Sequence, residues 1–228
     1  MPIARPEFGP SLPDVALPWW RGRSRRFRIA VVVGIALVAA VVATWALTRG
    51  RTVTHVVIDG PPQFNVRFDD RIERVDAEPG ELLRLRNRPA ENRGAETIVY
   101  RDGGAAPPDA EPGGPPVSQL MLRMAKVMRG VEASLPAGSA FQIRAAGRGS
   151  IGRDVTGWLV RYQFKREGRT WYGVRALLLP NVERPTGRVL DVSLQSQQSP
   201  VVPNVRQAGV NGPMRLPFYG VAFGTEAP

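Results

Sequence analysis

The chain has 228 residues, no cysteine and a formal net charge of +11 at pH 7, with ordinary contents of apolar and charged residues. The lack of cysteine excludes disulfide bonds, thiolate nucleophiles and zinc–thiolate sites. The positive charge does not indicate a nucleic-acid partner, because residues 1–49 hold seven arginines against two acidic residues and residues 50–228 keep a net charge of only +6.

Residues 1–28 combine five prolines with an arginine cluster and show little hydrophobic periodicity, which predicts a disordered basic tail. Residues 29–47 then read IAVVVGIALVAAVVATWAL without a charge, and as a helix they would span roughly 28 Å, about the thickness of the bilayer core. We therefore expect a transmembrane helix over residues 29–48. A cleaved signal peptide is the alternative, and the length of the apolar run and of the preceding tail favours an uncleaved anchor.

The residues that flank this span predict its orientation. Basic residues are more numerous before the span than after it, where Arg49 and Arg51 follow, so we expect the N-terminus in the cytoplasm and the later chain outside the membrane. The arginine cluster is also expected to contact anionic lipid head groups. The membrane-flanking residues are Arg21, Arg23, Arg25, Arg26 and Arg28, with Trp45 near the far end of the span.

Alternation of apolar and polar residues predicts several strands in the first part of the outer region. The predicted strands cover residues 53–59, 63–69, 81–86 and 97–101. Residues 103–116 read GGAAPPDAEPGGPP, and such a density of glycine and proline predicts a long loop or an internal linker.

Residues 117–133 carry the clearest helical pattern outside the span. Apolar side chains recur there at spacings of three and four, which predicts an amphipathic helix with one apolar stripe. Met121, Met124 and Met128 lie on that stripe and indicate either core packing, which we favour, or an adaptable binding face.

The C-terminal half predicts an antiparallel meander. Residues 158–165, 170–179 and 188–196 alternate as strands, and a turn containing Gly168 joins the first two. A helix on one face of this sheet gives an α+β fold, a two-layer domain of antiparallel sheet with one main amphipathic helix. We expect this domain to cover residues 52–198 and an irregular extension to follow over residues 199–228.

Motifs for catalysis are weak. Gly147–Gly152 matches G-x-G-x-x-G, but the chain continues into a strand and residue 172 is tyrosine, so a glycine-rich turn is favoured over a dinucleotide site. His55 is the only histidine and is expected at the surface or in packing. Asp69 and Asp70 form the best carboxylate pair, for which a solvated turn is the favoured interpretation.

Aromatic and basic residues of the predicted hairpin suit a ligand or partner face, although the same alternation is typical of any half-buried sheet. The residues proposed for this face are Arg161, Lys165, Arg169, Trp171 and Arg175. No catalytic, cofactor or metal site is predicted, and the outer location argues against nucleotide or nucleic-acid partners. The expected partners are the lipid bilayer with its anionic head groups and a protein of the envelope.

The layout resembles that of bacterial envelope proteins with a cytoplasmic tail, one anchor and a small α+β domain. The segment VTHVVIDG directly after the span is similar to the start of the POTRA module of divisome anchors, and the element order is similar to PsbP/Mog1-type secreted domains. Twenty-nine arginines against two lysines are typical of a GC-rich bacterial genome. We predict a non-enzymatic scaffold or binding module for an envelope complex or cell-wall polymer. The alternative is an outer hydrolase that uses carboxylates such as Asp69, Asp70 and Asp154.

Overall fold

A computed structural model describes residues 24–49, 52–88, 90, 93–107, 117–151, 155–180 and 187–224. The chain divides into two compact units, Met1–Arg51 and Thr52–Pro228. In the first unit, helix α1 covers Arg25–Arg49 and contains the predicted apolar run. Its segment Arg25–Thr44 is, among the described residues, the single helix long and apolar enough to cross a membrane.

The second unit has the predicted α+β fold. Its main helix, α2, covers Val117–Ala133, as the apolar stripe predicts. Ten strands form the rest of its regular framework. In chain order they are β1 (Val53–Ile58), β2 (Phe64–Asp69), β3 (Ile72–Val75), β4 (Glu81–Asn87), β5 (Glu96–Ala105), β6 (Gln142–Ile151), β7 (Val155–Arg166), β8 (Arg169–Pro180), β9 (Arg188–Gln197) and β10 (Ala222–Phe223).

The strands form two antiparallel sheets. The larger sheet has the order β3-β4-β5-β9-β8-β7-β6, and the smaller has the order β1-β2-β10. The predicted meander is confirmed as β7, β8 and β9, each paired with the next. Glu167 and Gly168 join β7 to β8 with φ angles of 52° and 73°, which is the tight turn that follows the twist of two antiparallel strands.

Helix α2 covers one face of the larger sheet. Leu120, Met124 and Met128 of the helix are buried there, with relative exposures of 0%, 1% and 3%. They pack against the side chains of β7, β8 and β9 that point to this face, because alternate residues of a strand share a face. The strand residues of this cluster are Val160, Tyr162, Phe164, Leu177, Leu179 and Val189.

The opposite face of the larger sheet is covered by the smaller sheet and by residues 199–224. Phe64 of β2 stacks on Tyr100 of β5 with a ring-centroid distance of 5.3 Å. The Tyr100 hydroxyl donates a hydrogen bond of 2.8 Å to the carbonyl of Pro217, in the short helix α3 (Arg215–Tyr219). Phe218 of α3 is fully buried in the same cluster. The C-terminal segment is therefore part of the core, a closer integration than the predicted irregular extension.

Two predicted loops are wrong in part. Gly103 and Gly104, placed in the long loop, belong to β5, and residues 108–116 of that loop lie outside the described residues. Gly147–Ile151, interpreted as a turn, belongs to β6. The physical reason is close packing across the sheet. A Cβ atom on Gly149 would lie 2.8 Å from Leu159, and Gly149 faces Gly157 in the strand register.

Glu96 is a buried carboxyl group at the boundary between β5 and the C-terminal segment. It is 2% exposed, and the Ser196 hydroxyl donates a hydrogen bond of 2.8 Å to Oε1. Gly212 lies against it, since a Cβ atom there would come within 3.1 Å of Oε2. Burial raises the pKa of Glu96 from 4.5 to about 7, although the hydrogen bond and the nearby charges of Arg93 and Arg71 lower it.

We predict that this carboxyl group makes stability depend on pH. At pH below 4.5 this carboxyl group is neutral in both the folded and the unfolded chain, so its burial does not lower the free energy of unfolding through ionisation. As the pH rises to about 7, only the unfolded chain ionises at this position, so the contribution of Glu96 to the free energy of unfolding should fall by roughly 3 kcal/mol and then level off. Denaturant titrations between pH 4 and 8 should therefore show wild type losing about this much stability relative to Glu96→Gln. The exposed control Glu132→Gln should follow wild type, and parallel curves of wild type and Glu96→Gln would contradict the prediction.

Candidate functional site

An open cleft lies between α2 and the edge of the larger sheet, and its volume is about 350 Å³. This volume is within the usual range for small-molecule sites, close to its lower end. We call it the α2–β6 cleft. The helix contributes Met121, Met124, Ala125, Met128, Arg129 and Glu132. The sheet side contributes Phe141, Ile143, Ala146, Trp158 and Val160.

Small side chains line the cleft on both the helix and the edge strand. Ala125 and Ala146 line it from the two sides, and neither fills the space between them. Met121 and Ile143, at its border, are 42% and 53% exposed, although both are large and apolar. An apolar concave surface left open to solvent is an unusual feature of a folded unit and marks a binding site more often than a core defect.

Two cations and one carboxylate lie around the cleft. Arg129 and Glu132 line it from successive turns of α2. Arg148 faces Trp158 in the strand register and so shares the sheet face that forms the cleft. In the described part of the chain, none of these three residues forms an ion pair. Among the described residues, no ion pair therefore competes with a ligand for these charges.

A polar cluster lies on the same face of the sheet, further towards β9. Arg175 Nη2 and Asp191 Oδ2 are 2.5 Å apart, and both side chains are about nine-tenths buried. The ring of Tyr162 crosses Gly173, where a Cβ atom would lie 2.1 Å from the ring. Burial raises the pKa of the Tyr162 hydroxyl, and nearby Gln195, Arg175 and Ser193 lower it in part.

Three atoms of this cluster have no hydrogen-bond partner within the described residues, namely the Tyr162 hydroxyl, Arg175 Nε and Asp191 Oδ1. Gln195 and Ser193 approach the hydroxyl without forming a hydrogen bond of regular geometry. Buried polar atoms without partners are costly, and their cost offsets part of what the Arg175–Asp191 ion pair contributes to stability.

We predict opposite outcomes for two substitutions in this cluster. Asp191→Ala leaves a buried arginine without its partner and should lower the free energy of unfolding by about 3–5 kcal/mol. Tyr162→Phe removes an unpaired hydroxyl and keeps the ring on Gly173, so it should change stability by less than about 1 kcal/mol. Equilibrium denaturation measures both. A loss above about 2 kcal/mol for Tyr162→Phe would contradict the prediction and indicate that the hydroxyl has a partner.

The predicted hairpin face is divided between the two faces of the sheet. Arg161 points to the C-terminal segment, where Nη1 donates a hydrogen bond of 2.8 Å to the carbonyl of Ala208. Strand alternation places Lys165 on that same face, whereas Trp171 and Arg175 lie on the face of α2. Arg169 and Lys165 are exposed beside the turn. The structure therefore does not bring these five residues together, and their role as a binding face stays a prediction.

The other predicted residues are placed as follows. Arg25 and Arg26 begin α1 and are exposed. Arg21, Arg23 and Asp154 lie outside the described residues, as do the side chains of Arg28 and Trp45. His55 is exposed on β1, as expected for a surface residue.

The acidic pair Asp69 and Asp70 does not form a shared site. Asp69 is 2% exposed, which corrects the expectation that it lies in a solvated turn. Its Oδ1 accepts hydrogen bonds from the backbone N–H and Nε of Arg71, at 3.1 and 3.0 Å. Asp70 is exposed in the turn. Among the described residues no cluster of histidine and acidic side chains could hold a metal ion.

Sequence reasoning missed the cleft, although it identified the methionine stripe that forms one wall. Ile143 and Ala146 gave no signal, because the edge position of β6 depends on strand order. The position of Arg129 beside the cleft could not be predicted either, since the sequence has many arginines and none of its patterns sets this one apart.

No protein-family model and no curated protein matches this sequence. Two solved structures are similar in outline. The crystal structure of LpqN, involved in cell envelope biogenesis of Mycobacterium tuberculosis, has a TM-score of 0.43 and 14% identity, covering 82% of this chain and 96% of LpqN. The solution structure of the PsbP protein CyanoP from Synechocystis sp. PCC 6803 has a TM-score of 0.38 and 12% identity, covering 64% and 80%. At such scores neither likeness carries an argument about function.

Proposed function

We propose that this protein is a non-enzymatic, membrane-anchored binding module of the cell envelope, and that the α2–β6 cleft is its binding site for an apolar group. The open apolar cleft carries the proposal. Its lining supplies methionine, phenylalanine, isoleucine and tryptophan side chains, which bind by burying apolar surface and activate no nucleophile. Among the described residues of the lining, Glu132 is the one carboxylate, and no histidine or second carboxylate lies beside it to support acid–base chemistry.

The anchor rests on the character of α1. Its apolar side chains are uncovered along the helix, with Leu37 and Val41 62% and 66% exposed. A helix that is apolar all round is stable in a bilayer, whereas in water it would have to be buried. Basic residues before the helix outnumber those after it, which supports a cytoplasmic N-terminus and a folded unit outside the membrane.

The adaptable wall of the cleft supports binding of flexible apolar chains. Met121, Met124 and Met128 follow one another along α2, and their unbranched side chains change rotamer at low cost. Trp158 offers a flat apolar surface on the sheet side. Such a lining selects for apolar character more than for one particular shape.

The orientation can be tested by labelling, because the chain has no cysteine of its own. Ala137 is exposed in the turn after α2, so Ala137→Cys should react with a membrane-impermeant maleimide in intact cells. Ser11→Cys, in the N-terminal tail, should react only after the cells are permeabilised. The reverse pattern would contradict the proposed topology, and labelling of both positions in intact cells would contradict the membrane anchor.

The binding role can be tested by photo-cross-linking of the full chain in cells. Met121 lines the cleft and is 42% exposed, whereas its neighbour Leu122 is 67% exposed and is not part of the lining. A benzophenone amino acid at position 121 should form an adduct of defined mass that the same group at position 122 does not form. Intact-protein mass spectrometry measures both. Identical adduct patterns at the two positions would count against the cleft as the binding site.

A further inference from the structure

The charges around the α2–β6 cleft indicate which class of ligand it takes. We propose that the cleft binds a single-chain anionic amphiphile from the membrane, with its hydrocarbon chain in the cleft and its anionic head at Arg129. This inference rests on the proposed function of the cleft and adds the chemistry of the ligand.

The apolar part of the ligand follows from the size and lining of the cleft. A volume of about 350 Å³ suits one hydrocarbon chain and is small for a lipid with two chains. Each methylene group held in the cleft instead of in water contributes about 0.8 kcal/mol, which opposes release of the chain into water once the molecule has left the bilayer. The methionine side chains of α2 adapt to a chain that has no fixed shape.

The head group follows from the two arginines beside the cleft. Arg129 lines the cleft and forms no ion pair within the described residues, although six arginines elsewhere in the unit are engaged with carboxylates. Arg148 shares the sheet face of the cleft through its register with Trp158. A guanidinium group binds a carboxylate or phosphate through two parallel hydrogen bonds. Glu132 opposes them with a single negative charge, so the balance favours an anion.

The source of the ligand follows from the proposed anchor. Helix α1 belongs to the same chain as the folded unit, and it is long and apolar enough to cross a membrane. Under the proposed function the protein is therefore held at a bilayer. Amphiphiles of that membrane are the nearest supply of molecules with both an apolar chain and an anionic head.

The test compares two photoreactive probes of equal chain length, a fatty acid and the matching fatty alcohol. Full-length protein in lipid nanodiscs is irradiated with each probe, and labelled peptides are quantified by mass spectrometry. Labelling of α1 measures how much probe has entered the bilayer and normalises the signal from α2 and β6. We expect the fatty acid to label α2 and β6 about threefold to fivefold more than the alcohol, the effect of one partly exposed charge pair.

Four variants assign that difference to the cleft. Ala146→Phe should abolish labelling of α2 and β6 by both probes, because the larger side chain fills the space. Arg129→Gln should reduce labelling by the fatty acid to the level of the alcohol, and Glu132→Gln should increase it. Lys126→Gln, a matched loss of charge on the same helix outside the lining, should change neither.

The possible failures are distinguishable. Equal labelling by both probes, unaffected by Arg129→Gln but abolished by Ala146→Phe, would overturn the anionic ligand and leave the apolar binding site standing. Labelling of α1 without any labelling of α2 and β6 would overturn both the ligand and the proposed function. A stronger signal from the alcohol would overturn the role of Arg129.

Discussion

The structure depends on the need to cover both faces of a seven-stranded antiparallel sheet. Many antiparallel sheets leave one face in water, but here β8 is apolar on both faces from Ala176 to Leu179. Helix α2 covers only one face. The other face is closed by the smaller sheet and by residues 199–224, although that segment has little regular structure of its own.

Hydrogen bonds from side chains of the sheet hold the irregular C-terminal segment in place. The Tyr100 hydroxyl donates to the carbonyl of Pro217, the Tyr172 hydroxyl to that of Pro203, and Arg161 to those of Val205 and Ala208. Each bond gives a backbone carbonyl of the segment a side-chain donor from the sheet. Side chains of the sheet thus fix the path of the chain across it, and an arginine that suggested a ligand contact in the sequence has a structural partner instead.

Helix α2 covers its face of the larger sheet incompletely, and the α2–β6 cleft is the result. Helix α2 packs over β7 and β8, while β6 carries small and charged residues along the sheet edge. Arginines and the register shift between Ile143 and Ala145 are features that protect an edge strand against pairing with another chain. The edge therefore disfavours strand addition, and the concave surface beside it remains the accessible feature of this face.

The sequence predicted the parts of the fold that depend on local periodicity. Helix α2 has the expected bounds, and the meander of β7, β8 and β9 follows from alternation and one turn. Strand β3 was missed because Ile72–Val75 is only four residues long and includes charged residues. It forms a strand because its backbone pairs with β4. Residues 199–228 were predicted as an irregular extension, and the path of residues 199–224 across the sheet could not be predicted, because it depends on long-range contacts. The candidate site could be predicted only as far as its methionine wall.

The contact between Tyr162 and Gly173 has an evolutionary consequence. The two residues face each other on adjacent strands, and the ring occupies the space that any side chain at position 173 would need. A larger residue at 173 is tolerated only together with a smaller one at 162, so the pair must change in concert. Relatives too distant to be identified by overall identity should still show this paired substitution, eleven positions apart, as a signature of the same sheet.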